Sequence, residues 1–134
     1  MAGDAMTTPR LVDVPALAPP GGHYSHATVG AGLVFVSGQL PVRPDGTRLA
    51  QESFEVQARQ TLSNVAAALA ASGSSIDRLL QVRVYVDDIR HWPAFNAIYA
   101  EWIGHARPAR AVVPTSALHH GFQVEVEAIA LASA

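Results

Sequence analysis

The stretch Arg107-Pro108-Ala109-Arg110-Ala111-Val112-Val113-Pro114, followed by Val124-Glu125-Val126-Glu127-Ala128-Ile129-Ala130-Leu131, decides the architecture. Side chains of an extended strand alternate between its two faces. Val124, Val126, Ala128 and Ala130 therefore share one face, and Glu125, Glu127, Ile129 and Leu131 the other. A carboxylate on a face that continues as Ile and Leu needs a hydrogen-bonded cation, or its pKa climbs. Arg110, which opens the preceding strand, is the candidate partner of Glu125, and Arg83 that of Glu127. Spacing alone leaves two readings open. The pairs are structural cross-strand contacts, or an Arg–Glu pair beside an apolar wall holds a small carboxylate substrate and a water.

The bulk properties narrow the choice. A chain of 134 residues makes one domain with a real core. Only 15% of residues are charged and 49% are hydrophobic, so a monomer is short of polar groups to cover its surface and self-association is expected. No cysteine is present, which removes disulfides, thiolate nucleophiles and zinc–thiolate sites. All 9 basic residues are arginine, which excludes Schiff-base lysine catalysis and a P-loop lysine. A net charge of −2 with no basic run lacks the footprint of a nucleic-acid binder. The start has neither a basic nor an apolar leader region and no run of about 18 apolar residues occurs, so a cytoplasmic protein is expected, with no signal peptide and no membrane span.

Working back from the closing strands, residues 1–9 read as a tail and residues 10–134 as one domain. Arg10–Val14 is a short strand, followed by a Pro- and Gly-rich loop over Ala16–His23. Ser25–Val29 and Leu33–Ser37 form a hairpin around Gly30-Ala31-Gly32, and Pro41–Thr47 a turn or flap. Ser53–Ser72 is the clearest helix. Ser53 suits its N-cap, Glu55 its first turn and Gly73 its C′ position, with Ala58, Leu62, Val65, Ala66 and Leu69 as its apolar stripe.

In the strand Leu79–Val86, Leu80, Val82, Val84 and Val86 share one face and Gln81, Arg83 and Tyr85 the other. A second helix starts near Pro93 and ends by Gly104, burying Phe95, Ile98, Tyr99 and Trp102. Arg110–Ser116 and Phe122–Ala132 close the chain. The order β-β-β-α-β-α-β-β predicts an α+β domain with two helices on one face of a mixed sheet. The other face then carries Arg83, Tyr85, Glu125, Glu127, Ile129 and Leu131, and further copies of the chain are the economical cover for it.

Several spaced motifs now stand in order: Gly22-His-Tyr24-Ser25, Val36-Ser37-Gly38-Gln39-Leu-Pro41, Phe95-Asn96-Ala-Ile-Tyr99, Arg107-Pro-Ala-Arg110 and Val124-Glu125-Val-Glu127-Ala-Ile-Ala130. Together, over about residues 10–132, they resemble the RidA/YjgF family of reactive enamine/imine deaminases, also called L-PSP or YjgF/UK114-like. The resemblance implies a chorismate-mutase-like fold assembled as a homotrimer, with sites in the clefts between subunits. It implies cofactor- and metal-free hydrolysis of 2-imino or enamine acids, of the 2-aminoacrylate type, to 2-keto acids and ammonia. Matched motif by motif, Arg110 becomes the clamp for the substrate carboxylate and Glu125 the residue that positions or activates water. Tyr24 and Asn96 belong to the wall of the site, Ser37 and Gly38 to the strand beside it, and the backbone of Val112 to the carboxylate subsite.

The chemistry suits these residue types in its own right. A guanidinium matches a carboxylate with two parallel hydrogen bonds, as an ammonium does not. An iminium carbon is already electrophilic and needs orientation and a polarised water, not a covalent nucleophile. Two positions depart from the family pattern. His23 replaces the usual proline before Tyr24, which frees φ there and is expected to loosen that loop. Val112 stands where Cys or Thr is frequent.

The remaining candidates have ordinary readings. His119-His120 reads as two solvated loop histidines pointing opposite ways, and not as a metal site. His23 and His26 flank Tyr24 as loop histidines, and Ser37 lacks the context of a serine nucleophile. Pro19-Pro20-Gly21-Gly22 is a turn and no phosphate cradle. Trp92 and Trp102 are expected to pack around the second helix, and Tyr85 to face an interface. The competing functions are an RNA-cleaving activity, which the acidic balance disfavours, and a trimeric module that binds keto or amino acids without turnover.

Overall fold

The computed structural model describes residues 8–133, so most of the tail expected over residues 1–9, together with Ala134, lies outside the described residues. Three short N-terminal strands come first: β1 (Arg10–Val12), β2 (Ala27–Gly30) and β3 (Leu33–Gln39). Helix α1 (Phe54–Ala71), strand β4 (Leu79–Val86), helix α2 (Trp92–Ile103), strand β5 (Ala109–Pro114) and strand β6 (Val124–Leu131) follow. The predicted element order holds. The strand ends differ by a few residues, because the Pro- and Gly-rich flanks leave the ladders early.

The strands form one sheet in the order β1-β2-β3-β6-β4-β5. Only β4 and β5 run parallel, joined through α2 as a βαβ crossover. Strand β6 is interior, opposing β3 at Val34↔Ala130 and Val36↔Ala128 and β4 at Val84↔Val126 and Val86↔Val124. Those valines and alanines are buried beneath the two helices with Leu62, Val65, Leu69 and Phe95.

Local chemistry explains the joints. The β2–β3 hairpin turns on Ala31 (φ 53°) and Gly32 (φ 77°), two left-handed residues whose twist matches the flanking strands. Ser53 caps α1 by accepting a hydrogen bond from the Val56 N–H at 3.3 Å. At the other end Gly73 adopts φ 77° and the Ser74 N–H donates to the Leu69 carbonyl at 2.8 Å.

Three side chains sit otherwise than the sequence suggests. Leu80 was placed on the core face but is 42% exposed, while Leu79 is buried. A register shift between Leu79 and Gln81 against β6 inserts one residue and resets the alternation. Trp102 is half-buried rather than fully buried. Gln57, absent from the apolar stripe, is fully buried: its amide donates to the Glu52 carbonyl at 3.0 Å and its Oε1 accepts the Gln123 N–H at 2.9 Å. That pair ties the start of α1 to the entry of β6.

The face away from the helices is open. It presents Phe35 (43% exposed), Leu131 (42%), Leu11 (67%) and Val113 (39%) beside the polar groups of β4 and β6. Among the described residues no helix is long and apolar enough to cross a membrane. Leu62, 1% exposed between α1 and the sheet, carries much of the packing. Leu62→Ala is expected to lower unfolding stability by about 2–5 kcal/mol, measured by denaturant titration.

Candidate active site

Strand β3 loses its ladder with β6 between Val36 and Gln39, leaving Ser37 and Gly38 in a bulge. Bulges of this kind re-aim side chains and free backbone beside functional sites. The Ser37 hydroxyl donates to the Ser25 carbonyl at 2.7 Å and its N–H to the His26 carbonyl at 2.9 Å. Across the bulge lies Glu125. A Cβ on Gly38 would fall 2.0 Å from Glu125 Oε2, so the carboxylate rests directly on the glycine backbone.

Tyr24, Ser37, Gly38 and Glu125 line one recess of about 400 Å³, closed further by Leu40, His119 and His120. Tyr24 is 49% exposed and its hydroxyl accepts the Gly21 N–H at 3.2 Å, while its own N–H donates to the Gly22 carbonyl at 3.0 Å. These two bonds close the Gly22-His23-Tyr24 loop on itself. His26 is 5% exposed and structural: Nδ1 accepts the Val14 N–H at 2.8 Å and Nε2 donates to the Ala18 carbonyl at 2.9 Å.

The two acids of β6 differ sharply. Glu127 accepts a short hydrogen bond from the Tyr85 hydroxyl and sits 3.9 Å from Arg83. Donation to Glu127, and then burial, push the Tyr85 phenol upward. The expected Arg83–Glu127 pair is present. Glu125 accepts no hydrogen bond among the described residues and is half-buried. Burial lifts its pKa above the ordinary carboxylate value; a nearby His119 opposes the shift and Glu127 adds to it.

The expected Arg110–Glu125 pair is absent. Parallel pairing sets Arg110 opposite Val82, with the helices, whereas Glu125 lies opposite Tyr85 on the open face. Strand β4 also stands between them. The alternation within β5 and β6 was legible, but the phase between strands was not, and a one-residue offset exchanges faces. Arg110 Nη1 donates instead to Asn96 Oδ1 at 3.0 Å, and its guanidinium lies 4.7 Å from the Tyr99 ring centre and 5.9 Å from that of Trp92. Trp92 is 41% exposed and flanks Arg110 rather than packing inside. Val112 stands opposite Val84 and packs against the core.

One chain thus carries two separate clusters: Tyr24, Ser37, Gly38 and Glu125 on the open side, and Asn96, Arg110 and Val112 at the β5 edge. The two histidines were read as an extended pair pointing apart. In fact His119–Gly121 is a 3₁₀ turn with His120 at φ 54°, and both imidazoles line the recess, their ring centres 6.1 Å apart. The Gly121 that follows, at φ 76°, was the available signal for a tight turn. Among the described residues no three His, Cys, Asp or Glu side chains are grouped to hold a metal.

Comparison with known proteins adds a finding of another kind. The Endoribonuclease L-PSP family model matches residues 15–132, nearly the whole domain. The chain belongs to the RidA/YjgF (L-PSP) family. Protein HMF1 of Saccharomyces cerevisiae is 42% identical over 107 residues, 80% of this chain and 82% of HMF1. A solved structure from Yersinia pestis, YyfA of the conserved Rid protein family, superposes with a TM-score of 0.88 at 32% identity, covering 92% of this chain and 99% of YyfA. E. coli TdcF, solved with bound serine, superposes at 0.86 with 27% identity, covering 92% and 99%. The fold of this L-PSP member is the fold of those structures.

Two measurements probe the Glu125 cluster. A carboxylate whose folded pKa lies above its unfolded value binds more protons when folded, so stability falls as pH rises through that window. Glu125→Gln is therefore expected to melt at or above the wild-type temperature at pH 7, and the difference should vanish below about pH 3, under the ordinary carboxylate value, where both states are protonated. Gly38→Ala displaces a flexible carboxylate rather than backbone. It is expected to change the melting temperature little while shifting the Glu125 ionisation seen by carboxyl NMR.

Proposed function

We propose that the protein is a cofactor-free hydrolytic deaminase that converts 2-imino or enamine acids, of the 2-aminoacrylate type, into 2-keto acids and ammonia. The observation that carries this reading is the uncommitted carboxylate of Glu125, half-buried over Gly38 in an open recess, while its neighbour Glu127 is tied to Tyr85 and Arg83. Burial that raises a carboxyl toward neutrality is the usual tuning of a general base. The bound serine of TdcF is a small ligand with an amino group and a carboxylate, and it supports a substrate of that class.

In this reading Glu125 takes a proton from water as the oxygen adds to the iminium carbon. The carbinolamine nitrogen then receives that proton, the C–N bond breaks to release ammonia, and the hydroxyl gives its own proton to Glu125, which passes it to the ammonia, leaving ketone and ammonium. Arg110 holds the substrate carboxylate in a fork already fixed by Asn96 and Tyr99. Because the two clusters of one chain lie on different faces, the Arg110 that completes a Glu125 recess comes from a neighbouring copy in a homotrimer. The exposed Phe35, Leu131, Leu11 and Val113 are the apolar surface such an assembly covers. Tyr24, Ser37 and the Val112 backbone complete the walls.

RNA cleavage has one observation in its favour beyond the family description, the imidazole pair His119–His120 in the recess. A net charge of −2 and the acidic floor of the recess weigh against phosphate binding. Incubation with single-stranded RNA at low salt decides the point, with no cleavage expected.

The main assay is turnover of imines formed in situ by an amino-acid oxidase, read as ammonia or semicarbazone. Arg110→Ala is expected to lose about 2–5 kcal/mol of transition-state binding, roughly 30-fold to several thousand-fold in kcat/KM. Arg110→Lys should recover only part of it. Glu125→Gln is expected to abolish most turnover, and Glu127→Gln to act mainly through stability. The acid limb of kcat/KM should lie above the ordinary carboxylate range, because the base must be ionised. Near-normal kcat/KM in folded Arg110→Ala would overturn the assignment, as would a stable monomer at micromolar concentration that retains full activity.

A further inference from the structure

The Glu125 recess does not end at its own walls. Gly21, Tyr24, Gly38, Leu40 and His120 are shared with a second cavity of about 280 Å³ on their other side. Three of its polar lining residues, His26, Gln39 and Asn64, are already engaged. Both ring nitrogens of His26 are bonded to backbone. The Gln39 amide donates to the Ser37 carbonyl at 3.0 Å. Asn64 donates to the Leu40 and Val42 carbonyls at 3.0 and 2.9 Å and accepts from Gln60 at 2.8 Å.

Beside Arg48 and His120, what remains for a ligand to touch is apolar: Leu17, Ala18, Pro19, Pro20, Leu40 and Val42. The walls are also fixed in advance. His26 staples the backbone at Val14 and Ala18, Asn64 staples Leu40 and Val42, and the two prolines hold their φ angles. A preformed, mostly apolar cavity with a few polar groups is the ordinary form of a small-molecule subsite. Its one charged lining residue, Arg48, is exposed.

We propose that this cavity is the side-chain pocket of the substrate, and that the protein prefers imino acids bearing an aliphatic side chain of several carbons over the alanine-derived imine. The inference rests on the deaminase reading: the imine carbon lies at Glu125 and the side chain reaches over the shared wall at Tyr24, Gly38 and Leu40. The pocket contributes through apolar burial, about fourfold per methylene group removed from water. Imines with a cationic side chain are disfavoured, because Arg48 would repel them.

The test compares imines made in situ by an L-amino-acid oxidase from alanine and from leucine or norleucine. Wild type is expected to favour the longer imines by about tenfold to a hundredfold in kcat/KM. Ala18→Trp and Val42→Phe fill the cavity without touching the Glu125 recess. They should remove that preference, leaving the alanine-derived imine within about twofold of wild type, and Val42→Phe is the milder change if Ala18→Trp does not fold. Equal wild-type rates for short and long imines would overturn the pocket, as would folded variants in which the preference persists.

Calorimetric binding of pyruvate against 4-methyl-2-oxopentanoate separates the two levels of inference. Tighter binding of the longer acid that Ala18→Trp or Val42→Phe erases, in a protein that hydrolyses no imine, would discard the deaminase reading and keep the pocket. Equal binding of both acids without turnover would discard both.

Discussion

The strict two-residue alternation of β6, held between β3 and β4, is the constraint from which the rest follows. Val124, Val126, Ala128 and Ala130 must face the helices, because they are the floor on which α1 and α2 pack. Once they do, Glu125 and Glu127 have no choice of side. The core thereby places two carboxylates on a face that also carries the apolar Phe35, Ile129 and Leu131. The buried Gln57–Gln123 bond fixes where β6 begins and so holds that phase.

Two like charges two residues apart on one face are unfavourable, and the structure resolves them unequally. Glu127 lies opposite Arg83 and within reach of the Tyr85 hydroxyl, so its charge is compensated. Glu125 lies opposite the body of Tyr85, and the bulge at Ser37–Gly38 lets its carboxylate fold over bare backbone. Any side chain larger than glycine at position 38 would occupy that place. The bulge and the glycine together leave one acid of the pair uncompensated, and that acid is the one beside an open recess.

Much of this was legible in the sequence. Alternation in β6, the cap residues of α1 and the Ala31–Gly32 turn needed only local chemistry. What was not legible depends on relations between segments. The bulge that exposes Leu80 requires the register of β4 on β6, which its own apolar pattern does not encode. The side taken by Arg110 requires the offset of β5 on β4, and the expected Arg110–Glu125 contact failed there. An extended segment would point His119 and His120 apart, whereas Gly121 permits the tight turn that brings both to the recess. Gln57 was passed over because a glutamine in a helix reads as solvated until its partners on other segments are known.

Arg110 shows what the failed contact means physically. Its partners are the neutral Asn96 amide and two aromatic rings. Each orients the guanidinium, and none cancels its charge. Among the described residues no carboxylate lies within ion-pair distance of it; the ion pairs of Arg59, Arg83 and Arg90 are made elsewhere. Stacking on a ring face is worth about 0.5–2 kcal/mol and leaves the donor fork free. A half-buried cation fixed in direction and left uncompensated keeps its charge available to an anion, the role proposed for it. Glu125, an uncompensated acid on the other face, is the complementary half of that arrangement. In the proposed assembly, two copies of the chain bring them together without either strand having to change its register.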